Sequence, residues 1–310
     1  MAHDIVVGVD GSPEGLAAAH WAAREAERRG TGLAVVHVWH RHPHPPPYIP
    51  LDSTERDWAE QLLGEAVRSV WTAHPGLRIT DRLVCDATVA GMLKAAADAD
   101  LLVLGSRGLG AVGGFLTGSV SQRVVGRSTR PVVLVRAGRS AADEHLPATD
   151  GVAPEEIPGT PYRQVVLGLR TDRPCDELIE FAFDAARRRG TGLSVIHAFR
   201  PAPVPSVPLV SAAPEGPAPV PRPLAQELAD QERTVAAVLR PWREKYPTVP
   251  VTETVTEGRA AVVLVRAAQA AGLLVVGRRG VDHHVGAVPG PVTHAVLHHV
   301  GCAVAVVPHG

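Results

Sequence analysis

The sequence predicts an α/β chain of two tandem doubly wound, Rossmann-like domains, each built on a five-stranded parallel sheet. Three observations carry this. Short apolar runs alternate with helix-like stretches along the chain. The chain also repeats itself, since Arg28-Arg29-Gly30-Thr31-Gly32-Leu33 recurs as Arg188-Arg189-Gly190-Thr191-Gly192-Leu193. Finally, the apolar run Leu101-Leu102-Val103-Leu104 leads into Gly105-Ser106-Arg107-Gly108, and Gly118-Ser119 then opens a helix-like stretch, Val120 to Gly126.

The elements follow in order. Ile5-Val6-Val7-Gly8-Val9 reads as the first strand. Glu14 to Arg29 reads as a helix, with Leu16, Ala19, Ala23 and Ala26 on one face. Gly30 and Gly32 end it. Leu33 to Trp39 is the second strand, Asp57 to Trp71 a helix and Arg78 to Cys85 the third strand. Thr88 is placed to N-cap a helix running to Asp98. Leu101 to Leu104, apolar on both faces, is the fourth strand, and Val132 to Val135 the fifth. Alternating strands and helices imply a parallel sheet covered on both faces, and right-handed crossovers put every strand's C-terminal end on one rim. Ligands bind on that rim where the strand order reverses. Asp10-Gly11-Ser12 follows the first strand and Gly105 the fourth, so a strand order of 3-2-1-4-5 places both loops beside one crevice.

The repeat has an offset of 160 residues through its first part, where Gly8 maps onto Gly168 and both copies continue into a Val-rich strand with His37 or His197. Gly105 and Gly108 map onto Gly277 and Gly280 with an offset of 172, and the proline-rich stretch from Pro201 to Pro223 accounts for the difference. The expected domains are 1–138 and 162–310. The segment 139–161 between them has the composition of a linker, and the second domain carries the insertion 201–223.

Composition narrows the function. The chain has 310 residues, 45% of them hydrophobic, enough for two cores. Lys and Arg total 31 against 32 Asp and Glu, so no basic surplus points to nucleic acid and no polybasic block to a membrane surface. No apolar run is long enough to span a bilayer. The N-terminus shows no signal-peptide pattern. Cys85, Cys175 and Cys302 are odd in number and scattered, against a disulfide framework. A cytoplasmic setting is expected.

The glycine loop and the helix after it suit a phosphate group. Glycine allows close backbone approach, and a helix start offers free N–H groups and the positive end of a dipole. The loop Gly105, Ser106, Arg107, Gly108, Leu109, Gly110 and Ala111 would turn its amides inward, with Gly118, Ser119, Val120 and Ser121 at the helix start. Ser119 as a simple N-cap and Arg107 as a solvated side chain are open alternatives. No Lys-Ser/Thr pair follows the glycines. Of the groups a fast hydrolase needs, only a metal-holding hydroxyl has a candidate. Binding, with slow hydrolysis at most, is therefore expected.

Val7-Gly8-Val9-Asp10-Gly11-Ser12-Pro13, followed downstream by Gly105-x2-Gly108-x9-Gly118-Ser119, resembles the universal stress protein family, in two tandem copies covering nearly the whole chain. The resemblance implies a HUP-type α/β domain of strand order 3-2-1-4-5, ATP binding, and pairing of two domains through the last strand. The family's output is mostly regulatory or stress-protective, which implies an unknown signalling partner. By this resemblance Asp10 would accept hydrogen bonds from the ribose hydroxyls, the Val38 backbone would meet the adenine, and Gly8 would let the nucleotide lie close to the first strand. Asp10 as a turn residue before Gly11 is the alternative. ATP, with or without Mg2+, is the expected ligand, and association of two chains is left open. A slow ATP hydrolase or adenylate-forming enzyme, and a non-binding tandem scaffold, are the competing functions.

The second copy departs from the pattern. Arg170 stands where Asp10 does, Thr171-Asp172 replace Gly11-Ser12, and Pro291 replaces Ser119. Proline removes an N–H and the serine hydroxyl, and Asp282 in the adjoining loop would repel phosphate. The nucleotide is therefore expected mainly in the first domain, with Arg170 and Arg278 holding a different anion as the alternative for the second. The histidine sets His40, His42, His44 and His294, His298 have spacings that zinc accepts, but solvated or packed side chains are the expected reading.

Overall fold

The computed structural model describes residues 4–40, 54–106, 119–138, 140–147, 160–201, 223–279 and 289–309. Its first half runs β1 (Ile5–Gly8), α1 (Pro13–Arg29), β2 (Leu33–Trp39), α2 (Glu55–Ala73), β3 (Ile79–Cys85), α3 (Thr88–Ala95), β4 (Leu101–Ser106), α4 (Ser119–Arg127) and β5 (Val132–Arg136). The second half repeats the series as β6 (Val165–Gly168), α5 (Asp176–Arg189), β7 (Leu193–Phe199), α6 (Leu224–Lys245), β8 (Val251–Glu257), α7 (Ala260–Ala267), β9 (Leu273–Arg279), α8 (Pro291–His299) and β10 (Ala303–His309).

Each half has the expected strand order, and the two sheets join edge to edge into one ten-stranded sheet, β3-β2-β1-β4-β5-β10-β9-β6-β7-β8. All pairings within a half are parallel, and the join is antiparallel, with Ala305 opposite Val133. β5 and β10 would otherwise be exposed edges, and pairing them satisfies both rows of backbone groups. The central strands are buried on both faces, and the apolar side chains form one cluster on each side of the sheet. Strands covered by helices on both sides need such continuous apolar runs.

Local chemistry sets the helix ends. Ser12 caps α1 by accepting from the Gly15 N–H at 3.0 Å, and Pro13 follows where its missing N–H costs nothing. The buried stripe of α1 runs through Gly15, Ala18, Ala19, Ala22, Ala23 and Ala26. Leu16 is 38% exposed, contrary to the expected face, because it lies one residue off that stripe. α2 begins two residues before the expected Asp57, since Thr54 and Asp57 form a reciprocal capping box. Thr88 is not a cap. Ala87 occupies that position with no side-chain bond, and Thr88 is the first residue of α3, which ends at Ala95 rather than Asp98.

The halves also meet through buried charge. Arg136 at the end of β5 donates to the carbonyls of Val300 and Leu297 at the end of α8. Arg278 in β9 returns the contact, donating to the Ser128 carbonyl at the end of α4 at 2.5 Å. Each half thus supplies an arginine to the free carbonyls at the other half's last helix end. The connecting segment takes part as well. Ala141–Glu144 forms a 3-10 turn, and the buried Glu144 receives Arg24 at 2.6 Å and Arg28 at 3.3 Å.

Candidate functional site

In the first half, β1 and β4 are direct neighbours, with Gly8 opposite Leu104. Residues 9 to 15 and the end of β4 therefore leave the sheet side by side on one rim. A cavity of about 600 Å³ opens there. Of the residues expected at a nucleotide site, Gly8, Asp10, Val38, Gly105, Ser119, Val120 and Ser121 line it. Ser106 is buried at the end of β4 and does not line it. Arg107, Gly108, Leu109, Gly110, Ala111 and Gly118 lie outside the described residues.

The Asp10 loop is held from below. His37 in β2 is buried, and its Nδ1 lies 2.7 Å from the Val9 carbonyl, directly before Asp10. His197 makes the same contact with the Leu169 carbonyl at 3.1 Å. Asp10 itself is exposed. Its Oδ1 accepts from the Ser12 N–H at 3.1 Å and from the Ser12 hydroxyl, an Asx-type turn that also orients the α1 cap. Gly11 takes φ 78°, the left-handed conformation this turn needs. Asp10 thus has a turn role through Oδ1, while Oδ2 makes no hydrogen bond among the described residues.

Gly105 lies against the start of α1. A Cβ there would stand 2.6 Å from the Glu14 carbonyl carbon and 2.8 Å from the Gly15 nitrogen. The missing side chain is what lets α1 begin directly beside the end of β4. At Gly8 a Cβ would meet the Met92 side chain at 2.6 Å, so this glycine makes room for α3 as well as opening the floor of the cavity. Ser121 is buried and its hydroxyl donates to the Gly105 carbonyl at 3.0 Å, fixing α4 to β4. Thr293 does the same to Gly277 at 3.1 Å. Ser119 and Val120 remain exposed at the first turn of α4, with backbone N–H groups that no earlier helical turn accepts.

The cavity also takes in Glu14, Thr88, Met92 and Gln122, none of which is among the residues expected from the sequence at a nucleotide site. The signal for Thr88 and Met92 was available, because α3 follows β3, whose end lies on the same rim.

The equivalent rim of the second half holds a cavity of about 300 Å³, lined by Gly168, Arg170, Arg173, Gly277, Arg279 and Thr293 among others. Arg278 does not line it. Its side chain is buried under the join between the halves, which corrects the expectation of an Arg170–Arg278 anion pair. Alternation along β9 sends successive side chains to opposite faces, so Arg279 takes the place at the rim. Arg170 forms an ion pair with Asp172, its Nε 3.0 Å from Oδ1. Cys175 also lines the cavity, and burial pushes its thiol up to about 11, so it is not a thiolate nucleophile at neutral pH.

Among the described residues no group of three His, Cys, Asp or Glu side chains is arranged to hold a metal ion. His294 and His298 lie ring to ring, centroids 4.3 Å apart, with His298 Nε2 2.9 Å from Gln122 Nε2. His42 and His44 lie outside the described residues. Among the described residues no helix is long and apolar enough to cross a membrane.

The profile of the universal stress protein family matches residues 1–136 and again 161–308. A universal stress protein of Mycobacterium tuberculosis is 33% identical over 305 residues, which cover 96% of this chain and 94% of the relative. A second from the same organism is 30% identical over 304 residues, covering 94% and 92%. A solved universal stress protein of Archaeoglobus fulgidus superposes with a TM-score of 0.65 at 17% identity, covering 99% of this chain and 98% of that one, a likeness of fold. The sheet order, the repeated glycine positions and these matches agree, and the chain belongs to the universal stress protein family as a tandem two-domain member.

Proposed function

We propose that the protein is an ATP-binding member whose first half, within residues 1–138, holds the nucleotide, and that residues 162–310, joined through 139–161, serve as its structural partner. The observation that carries this is the meeting of two unlike groups in one cavity. Asp10 supplies a carboxylate from the end of β1, and Ser119 and Val120 supply a helix start from beyond β4. Carboxylate for ribose and helix N-terminus for phosphate are complementary to the two polar parts of a nucleotide. Val38 and Met92 offer apolar contact for the base. The loop from Gly105 through Ser106, Arg107, Gly108, Leu109, Gly110, Ala111 and Gly118 completes the phosphate cradle in this reading.

The donor set fits Mg2+ as a companion of the phosphates. With Asp10 given to the ribose, Glu14 is the other carboxylate that lines the cavity among the described residues, and Mg2+ is usually held by one or two carboxylates together with phosphate oxygens. The output is a nucleotide-dependent change of shape or partner in the cytoplasm, not turnover. A second chain would have to dock elsewhere than β5 or β10, whose edges already pair with each other.

The test is ATP affinity in the intact chain and in Asp10→Ala and Ser119→Pro. Proline is tolerated at the first helical position, so the latter keeps α4 while removing two phosphate donors. Each charge-assisted bond contributes about 1.5–3 kcal/mol, so an affinity loss of about a hundredfold or more is expected. ATP affinity unchanged in both variants would overturn the reading.

A further inference from the structure

The second-half cavity is not explained by nucleotide binding. At about 300 Å³ it has half the volume of the first, at the lower end of the range for ligand pockets. Arg170, at the position of Asp10, only donates and cannot accept from ribose hydroxyls. Pro291 opens α8 without the N–H and hydroxyl of Ser119. What remains is a chamber of two kinds of surface. Its body is apolar, formed by Ile196, Leu264, Val276 and Val292. Its mouth carries Arg170, Arg173 and Arg279, and no Asp or Glu lines it among the described residues.

The arginines are not equivalent. Arg170 is matched by Asp172. Arg173 and Arg279 are exposed and make no ion pair among the described residues. Arg279 acts only at a distance, helping to hold the Asp172 carboxyl below its usual range. Two guanidinium groups with no ion pair among the described residues, above an apolar chamber, favour a ligand with one anionic end and a hydrocarbon body. A guanidinium receives a carboxylate through two parallel hydrogen bonds, and the apolar walls gain by excluding water.

We propose that the second-half cavity binds a small amphipathic monocarboxylate, its hydrocarbon body between Ile196, Leu264 and Val276 and its carboxylate against Arg173 and Arg279. The two halves would then read two chemically different ligands on one continuous sheet. This goes beyond the nucleotide proposal and does not depend on it.

The test is calorimetric titration of the full chain with decanoate, with 1-decanol as the uncharged control and inorganic phosphate as an anion without a hydrocarbon body. One decanoate per chain is expected, with both controls weaker by about tenfold or more. Arg173→Gln combined with Arg279→Gln should weaken decanoate by about tenfold and leave decanol unchanged. Ala198→Phe, which narrows the chamber from β7, should weaken decanoate and decanol alike, and thermal melts of both variants report that the fold is kept. Saturating ATP and Asp10→Ala should leave decanoate binding intact, which separates this proposal from the fate of the first site. Absence of decanoate binding, displacement of decanoate by ATP, phosphate binding as tight as decanoate, or an undiminished affinity in the arginine double variant would each overturn it.

Discussion

Glu25 of α1 receives Arg189 of α5 at 2.8 Å, and both side chains are at most 2% exposed. The same carboxylate accepts from Arg28 at 3.1 Å and Arg29 at 2.7 Å. Burial by itself would raise the Glu25 carboxyl, but the guanidinium groups of Arg189, Arg29 and Arg28 outweigh it and hold the group far below the usual carboxylate range. Burial also pulls Arg189 below its ordinary value, yet a guanidinium stays protonated at any pH at which the protein is handled. Glu25 thus pairs with basic groups from both halves, and Glu144 shares Arg28 with it.

Removing Glu25 leaves buried positive charge uncompensated. Glu25→Gln is expected to lower the unfolding free energy by about 3–5 kcal/mol, the usual cost of breaking a buried pair from one side. Urea denaturation followed by circular dichroism measures this. Arg189→Met leaves Glu25 with two arginines and should cost less than Glu25→Gln.

The pH dependence follows from the same contact. The folded carboxyl titrates below the unfolded value of about 4.3, so its contribution is complete above about pH 5 and is lost as pH falls through the unfolded value toward the folded one. Between about pH 5 and pH 3 the wild-type protein should lose stability more steeply than Glu25→Gln. Equal slopes would remove Glu25 from the account of acid unfolding.

Gly105 and Gly277 occupy equivalent positions but have different neighbours. A Cβ at 105 would meet rigid backbone at Glu14 and Gly15, whereas at 277 it would meet the side chains of His309 and Leu178. Gly105→Ala is therefore expected to cost about 1–3 kcal/mol and to weaken nucleotide binding by moving the start of α1. Gly277→Ala should cost less, because side chains can give way. Paired denaturation curves of the two variants check the order.

Ser121 and Thr293 hold the last helix of each half to its fourth strand. Ser121→Ala and Thr293→Val should each lower stability by about 0.5–1.5 kcal/mol. Since the Ser121 hydroxyl already donates to Gly105, Ser121→Ala should reduce ATP affinity less than Ser119→Pro does. The same titrations and melts decide it.

The elements of the sheet were legible because buried parallel strands need unbroken apolar runs, and Leu101 to Leu104 or Val132 to Val135 have no other reading. The repeat of Arg28 to Leu33 at Arg188 to Leu193 made the second half legible from the first, including Gly30 and Gly190 as matching left-handed helix ends. The charge cluster could not be read that way, because it breaks the repeat. Glu25 has Ala185 as its counterpart, so one acid serves arginines from both copies, and only the antiparallel join of β5 to β10 brings them together. Arg278 was misread for a related reason. Its sequence position is at the rim, but strand alternation turns its side chain to the join. Leu16 was assigned to the buried face of α1 because an alanine-rich helix gives a weak apolar stripe. The turn role of Asp10 was legible in the Asp10-Gly11 pair, and its Oδ1 makes that turn with Ser12.

The most direct measurement is the number of ATP molecules bound per chain, by calorimetric titration of the intact protein with Mg2+ present. The account predicts one, lost in Ser119→Pro and untouched by Arg170→Ala. Two per chain, or one that survives Ser119→Pro and disappears with Arg170→Ala, would contradict it.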